Sequence, residues 1–186
     1  MEPLSQAEYE GLLTALTDAD RSSASRWLPE VYESLRNLAG SYIRDMGPQM
    51  TLQPTALVNE AYLRLADKRS EYWNGKTHFV AVAARAMRYV LVNAIRDRHA
   101  AKRGGDARRF TLAGLDVGNG ATVVDIVALN DLLESLMTRS ERQARVVELR
   151  VFGGLTIDEA ADALGVSAST VKADWTVACA WLKAQL

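Results

Sequence analysis

Basic side chains able to hold phosphates crowd one stretch of the chain. Arg85, Arg88, Arg96, Arg98, Lys102, Arg103, Arg108 and Arg109 stand there against only Asp97 and Asp106. The local excess is six positive charges in a chain whose total is -1, so the remainder is acidic. Such a concentration is a candidate polyanion-binding surface. Just upstream, KRSEYWNGKTHF (residues 68–79) sets Tyr72, Trp73 and Phe79 in or beside a polar loop. Rings beside a cationic groove suit single-stranded nucleic acid, because bases stack on aromatic faces while Arg and Lys follow the phosphates. The plainer role for Trp73 and Phe79 is to pack the loop onto the core, and Phe79 fits that role better.

Hydroxyl groups offer a second chemistry. TLQPTALVNEAYLRLAD (residues 51–67) reads as a helix start with Thr51, Pro54 and Thr55 and no carboxylate before Glu60. Helix starts usually carry acid, because the free N–H groups and the dipole favour negative charge there. Pro54 suits the first helical position, which puts Thr55 in the first turn and Thr51 just ahead of it. A phosphothreonine adds about 1.5 to 2 negative charges and strong acceptor oxygens. At either place it would meet the dipole favourably and could pair with arginines on a partner. Plain capping or solvation of both hydroxyls is the alternative.

No other constellation suggests a reaction centre. His78 and His99 have no metal-ligand cluster beside them, and Cys179 lies on a helix without an apparent base, as a surface or half-buried residue. No glycine loop suited to cradling phosphate is present. The expectation is therefore no enzyme, no cofactor and no metal.

The elements that must position these residues are helical. Four prolines and long 3.6-residue periodicity predict helices near 5–17, 23–45, 53–67, 77–102, 126–136, 140–152, 156–164 and 167–184. GGDARRFTLAGLDVGNGATVVD (residues 104–125) breaks the pattern with five glycines and no helical stripe. A structureless segment of that length does not belong inside a compact domain. It predicts an all-α chain of two helical domains, 1–103 and 126–186, joined by a flexible linker at 104–125. On a helical projection of residues 77–103, Phe79, Val80, Ala83, Met87, Val90, Leu91 and Ala94 form one side. Arg85, Arg88, Tyr89, Arg96, His99 and Arg103 form the other, which predicts a solvent-facing cationic stripe.

LTIDEAADALGVSASTVKADWTVACAWLKAQL (residues 155–186) carries the most specific local signal. Thr156 and Glu159 make a capping box, Gly165 permits a tight turn, and Ser167 caps a second helix. On that helix Val171, Trp175, Ala178 and Leu182 share the predicted core face, while Ser169, Lys172, Thr176, Cys179 and Lys183 face the other way. This is the spacing of a helix-turn-helix whose second helix enters a DNA major groove. Residues 126–186 nonetheless hold eight acids against six basic residues. Phosphate neutralisation supplies most non-specific DNA affinity, so this half should bind DNA weakly without a tether.

The totals agree with such a chain. Its 186 residues, 48% hydrophobic and 24% charged, have globular composition. A single cysteine excludes an internal disulfide and suits a reducing cytoplasm. The acidic start MEPLSQAEYE lacks the apolar core of a secretory signal, and no apolar run approaches a membrane span of roughly 18–20 residues. The expected localisation is cytoplasmic, away from membranes.

These motifs, in this order, resemble bacterial sigma factors of the extracytoplasmic-function (ECF) group over nearly the whole chain. TALVNEAYLRL (residues 55–65) is similar to their region 2.2, which grips the β′ coiled coil of RNA polymerase core. FVAVAARAMRYVLVNAIRDRHAAKRGG (residues 79–105) is similar to regions 2.3–2.4, which melt and read the minus-ten element. LTIDEAADALGVSASTVK (residues 155–172) is similar to region 4.2, which reads the minus-thirty-five element. The resemblance implies promoter recognition on behalf of RNA polymerase core, with contacts to the β′ coiled coil and the β flap, and no catalysis by this chain. It implies core-polymerase contacts at Leu57, Asn59, Glu60 and Arg64. It implies minus-ten contacts at Tyr72, Trp73, Arg85, Arg88, Tyr89 and Arg96, and minus-thirty-five contacts at Ser167, Ser169, Thr170, Lys172 and Thr176.

The sequence departs from the group twice. Relatives commonly place more arginine on the second helix of the helix-turn-helix. Most also open region 2.2 with an acidic motif of the form DAED, where this chain has Gln53, Pro54, Thr55 and Ala56. A subgroup without that motif is switched on by Ser/Thr kinases, and this stretch is similar to theirs, which makes Thr51 and, second, Thr55 candidate phosphorylation sites. Two other readings stay open: a dimeric helix-turn-helix regulator acting without polymerase, and a kinase-substrate adaptor that has lost DNA binding.

Overall fold

The computed structural model describes residues 18–45, 53–67, 75–101, 109–111 and 123–185. The helix expected at 5–17, and the residues Thr51, Tyr72 and Trp73, lie outside them. Seven helices are described: α1 (Asp18–Asp45), α2 (Pro54–Asp67), α3 (Gly75–Ala101), α4 (Ile126–Arg139), α5 (Glu141–Phe152), α6 (Ile157–Leu164) and α7 (Ala168–Gln185). The all-helical expectation holds, with one correction. Two three-residue strands, β1 (Arg109–Thr111) and β2 (Val123–Asp125), pair antiparallel with Phe110 opposite Val124. Aromatic and β-branched residues at the two ends of the glycine-rich stretch favour that pairing, so the segment expected to be structureless carries a short ladder.

α1 supplies Leu28, Val31, Tyr32, Leu35, Ala39 and Tyr42 to the core at helical spacing. They meet Leu57, Val58, Ala61 and Tyr62 of α2 and the apolar side of α3. Rings run through this layer from Trp27 to Phe79 (centroids 5.2 Å apart), on to Tyr62 (5.4 Å) and to Tyr32 (5.9 Å). Phe79 is thus a core ring, in line with the plainer of its two expected roles.

The other side of α3 packs on α4, α5 and α6. Helices from both sides of the glycine-rich stretch therefore share one hydrophobic cluster. The Tyr42 hydroxyl of α1 donates to the Val151 carbonyl of α5, and its ring lies 6.0 Å from that of Phe152. The α5–α6 turn presses Gly153 against Ala84 of α3, while Gly154, at φ +66°, lies beside Leu38 of α1.

Being walled on two sides, α3 is apolar around most of its circumference, the pattern of a core helix. Its stretch Lys76–Asp97 is long and apolar enough, by length and composition alone, to cross a membrane. That corrects the expectation that no stretch comes near such a span. Most of the stretch is buried inside the fold.

Candidate nucleic-acid interface

The cationic residues of α3 do not share one fate. Arg85 is exposed, Tyr89 is half-buried, and Arg88 is only 1% exposed. Arg88 Nε lies 2.8 Å from Glu148 Oε1 of α5, and one terminal nitrogen lies 3.0 Å from Glu134 Oε1 of α4. The other terminal nitrogen donates to Asn130 Oδ1 at 3.0 Å. The expected solvent-facing stripe is therefore corrected at Arg88. A periodicity argument assumes one apolar wall; here a second wall, made of α4 and α5, closes over the polar side of the helix. Arg96 is exposed but also paired, with its guanidinium 2.8 Å from Asp131 Oδ1 of α4.

Arg88 and Arg85 flank the Tyr89 ring, at 4.8 and 5.9 Å from its centroid. A hydrogen bond with Tyr89 is the main influence holding the Arg85 guanidinium further above its already high pKa. Beside them lies a cleft of about 570 Å³ bounded by His78, Arg85, Glu141, Arg142, Arg145 and Glu148. Its α5 cations are engaged: Arg142 forks onto Asp174 at 2.5 and 3.3 Å, and Arg145 meets Glu148 at 3.0 Å.

The helix-turn-helix is built as its local signals predict. The Thr156 side chain accepts from the Glu159 N–H at 3.2 Å, and Glu159 Oε2 accepts from the Thr156 N–H at 2.8 Å. That backbone hydrogen bond is the main cause holding the Glu159 carboxyl below its ordinary pKa. Gly165, at φ +63°, ends α6 with its N–H on the Asp162 carbonyl, and the Val166 N–H reaches Ala161. These two bonds form a Schellman turn, which favours glycine at the left-handed position. Ser167 Oγ then accepts from the Thr170 N–H at 3.2 Å and opens α7.

Ser167 at the cap of α7 and Ser169, Lys172 and Thr176 on the helix are exposed and Thr170 is half-buried, so this candidate set stands together at the surface. Cys179 does not join them. It is fully buried with Val171, Asp174, Trp175, Ala178 and Leu182, and burial pushes its thiol up to about 12. The expectation of a surface or half-buried cysteine is corrected, because α7 packs against α4, α5 and α6 and so buries a wider stripe than one apolar row. Most basic residues of this half are engaged in packing: Arg150 sits 4.8 Å over the Trp175 ring and Arg139 5.6 Å over Trp181, while Arg142 and Arg145 hold acids.

At the α2 start, the Gln53 carbonyl accepts the Leu57 N–H at 3.0 Å, so Pro54 takes the first helical position and no acid occupies the first turn. Thr55 is half-buried, and Ala56 and Glu60 are exposed. Asn59 Oδ1 accepts from the Tyr32 hydroxyl at 3.2 Å. Leu57 is fully buried, which corrects its expected place in a partner-binding surface; it anchors α2 to the core. Arg64 lies on α2, its side chain outside the described residues.

Sequence reasoning missed the acids and amide that face α3: Asn130, Asp131, Glu134 and Glu148. The available signal was the acid excess of residues 126–186, which had no partner on its own side of the glycine-rich stretch. A family model described as ECF sigma factor matches residues 6–186. No curated protein and no solved structure matches the chain.

Proposed function

The chain belongs to the ECF sigma factor family; from that premise we propose that it docks weakly on RNA polymerase core until a threonine near the start of α2 is phosphorylated. It is an alternative sigma factor that directs transcription. In our reading it works in the cytoplasm and docks through α2, with Asn59, Glu60 and Arg64 toward the β′ coiled coil and the C-terminal helices toward the β flap. Arg85, Arg88, Tyr89 and Arg96 of α3, with Tyr72 and Trp73, hold the non-template strand of the minus-ten element. Ser167 at the cap of α7, with Ser169, Thr170, Lys172 and Thr176 on it, meets the minus-thirty-five element. With one lysine in that set, hydrogen bonding outweighs phosphate neutralisation there.

The observation that carries the switch is the acid-free first turn of α2. A helix start attracts negative charge, and here only hydroxyls stand ready to acquire it. Thr55 is half-buried within the first turn, so a Ser/Thr kinase needing an extended substrate would have to unwind it. This supports ranking Thr51 above Thr55. The test is reconstituted transcription with purified core polymerase, together with core-binding measurements. Unmodified protein is expected to bind core weakly, and Thr51→Glu to bind it more tightly and raise transcript yield. If Thr51→Ala and Thr55→Ala both keep full promoter output under inducing conditions in cells, the switch is wrong.

A further inference from the structure

We infer that the outer face of α7 reads thymine methyl groups in the major groove, and that Val177, outside the set expected from the sequence, is the residue that selects them. The inference rests on the reading of α7 as the minus-thirty-five helix and narrows it to a class of base. Among the described residues Val177 is the one large apolar side chain that stands exposed, at 53%. A single exposed valine is ordinary on a protein surface. Its neighbours give it meaning. Ser169, Ala173, Thr176 and Ala180 are exposed on the same helix at spacings of three and four residues. They form one face, with Val177 along one edge and Lys172 along the other.

Much of the polar chemistry of this face is already committed. The Thr176 hydroxyl donates to the Lys172 carbonyl at 2.9 Å. Its proton is spent on the helix, so the side chain offers DNA a methyl group and a lone pair. Ser167 Oγ lies 2.8 Å from both Ser169 Oγ and Thr170 Oγ1, which ties the hydroxyls at the helix start to one another. Lys172 is the one cation of α7 before its last turn, where Lys183 stands, and Arg142 of α5 is forked onto Asp174. Guanine is read best by a bidentate Arg or Lys, adenine by Asn or Gln, and cytosine by an acid. The exposed face of α7 before its last turn carries no arginine, amide or carboxylate. What it carries, in Ala173, Thr176 and Val177, is methyl groups. The apolar partner that a base edge presents in the major groove is the 5-methyl group of thymine.

The test uses the full chain and a pool of duplex DNA randomised at its centre, at low ionic strength, where few phosphate contacts suffice for binding. Retained duplexes are sequenced. The selected duplex is then titrated with thymine or with deoxyuridine at the enriched positions, a change that removes only the 5-methyl group. Wild type is expected to enrich thymine and to bind the deoxyuridine form about fourfold more weakly for each methyl group removed, the worth of one buried methyl-sized group. Val177→Ala is an exposed change to a better helix former and keeps the fold. It is expected to bind the two forms alike. If thymine is not enriched, if wild type binds the two forms alike, or if Val177→Ala keeps the difference, methyl readout is wrong. The DNA-reading role of α7 still stands in that case as long as Lys172→Ala weakens duplex binding. If no sequence is enriched and Lys172→Ala binds duplex as well as wild type does, that role falls and the methyl readout falls with it.

Discussion

Arg88 on α3 and Lys172 on α7 are both cations placed on a candidate DNA-reading helix, and the fold treats them oppositely. Arg88 is sealed among Glu134, Glu148 and Asn130; Lys172 stands exposed among hydroxyl side chains. The difference is not in the residue type, since each helix carries its cation opposite a predicted core face. It lies in how many walls each meets. α3 runs between α1 and α2 on one side and α4, α5 and α6 on the other, whereas the outer face of α7 is covered by none of the described elements. A basic residue is thus a DNA contact only where no internal acid reaches it first. Under the proposed function, Arg88 would have to leave Glu134, Glu148 and Asn130 to reach DNA, whereas Lys172 is already exposed.

The sharpest way to break this comparison is to delete each cation. Arg88→Ala removes one of the two guanidiniums beside the buried Glu148 carboxylate, leaving Arg145 at 3.0 Å, and takes the donor from Asn130 Oδ1; orphaning buried polar groups in this way costs about 1–3 kcal/mol. Lys172→Ala is a surface change and should stay within about 0.5 kcal/mol of wild type. Urea denaturation reads both. Replacing Arg88 by Met and Glu148 by Leu together should recover most of the loss, since apolar groups of similar volume fill such a site well. Equal, small losses for the two single variants would mean that the contact of α3 with α4 and α5 is not formed in solution.

The turns of the two regions sharpen it further. A Cβ on Gly153 would stand 2.6 Å from the Leu149 carbonyl oxygen, 2.7 Å from Leu155 Cδ1 and 3.2 Å from Ala84 Cβ. The first of these is backbone and cannot step aside, so Gly153→Ala is an overpacking change expected to cost about 1–3 kcal/mol. Gly165 has no atom within 4 Å of that position, but its φ of +63° is a left-handed one. Gly165→Ala therefore costs backbone strain alone, about 1 kcal/mol. Thermal unfolding should rank Gly153→Ala as the more damaging. The reverse ranking would mean that the α5–α6 turn does not hold Gly153 against Leu149 and Leu155.

How much was legible follows the same division between local and distant causes. The helix-turn-helix could be read closely because its rules act within four or five residues: Thr156 with Glu159, Gly165 after Ala161 and Asp162, and Ser167 before Thr170. The start of α2 at Pro54 was legible for the same reason. Arg88 was not, because the acids that turn it inward lie roughly 40 to 60 residues onward and across the glycine-rich stretch. Cys179 was misplaced by the related error of assigning one apolar row to a helix that meets several neighbours, whereas Leu57 was placed by resemblance, which says nothing of burial. The β1–β2 ladder escaped because three-residue strands are too short to show an alternation.

The smallest predicted effect tests whether the exposed region is as locally determined as this contrast requires. Thr156→Ala removes the cap of α6 and should cost about 1 kcal/mol at neutral pH. Glu159→Gln keeps an acceptor for the Thr156 N–H but loses the charge at the helix start. Solvent screens that charge, so the cost is a few tenths of a kcal/mol. Its sign with pH is fixed by the direction of the shift. The Glu159 carboxyl is held below its ordinary pKa by the Thr156 backbone hydrogen bond, so its charge stabilises the fold above the ordinary carboxylate range. That contribution fades as pH falls through the lowered native value, because protonation then makes Glu159 as neutral as glutamine. Denaturation of the Glu159→Gln protein and wild type should differ at pH 7 and converge in acid. A difference that persists or grows in acid would show that Glu159 acts through something other than its own helix start.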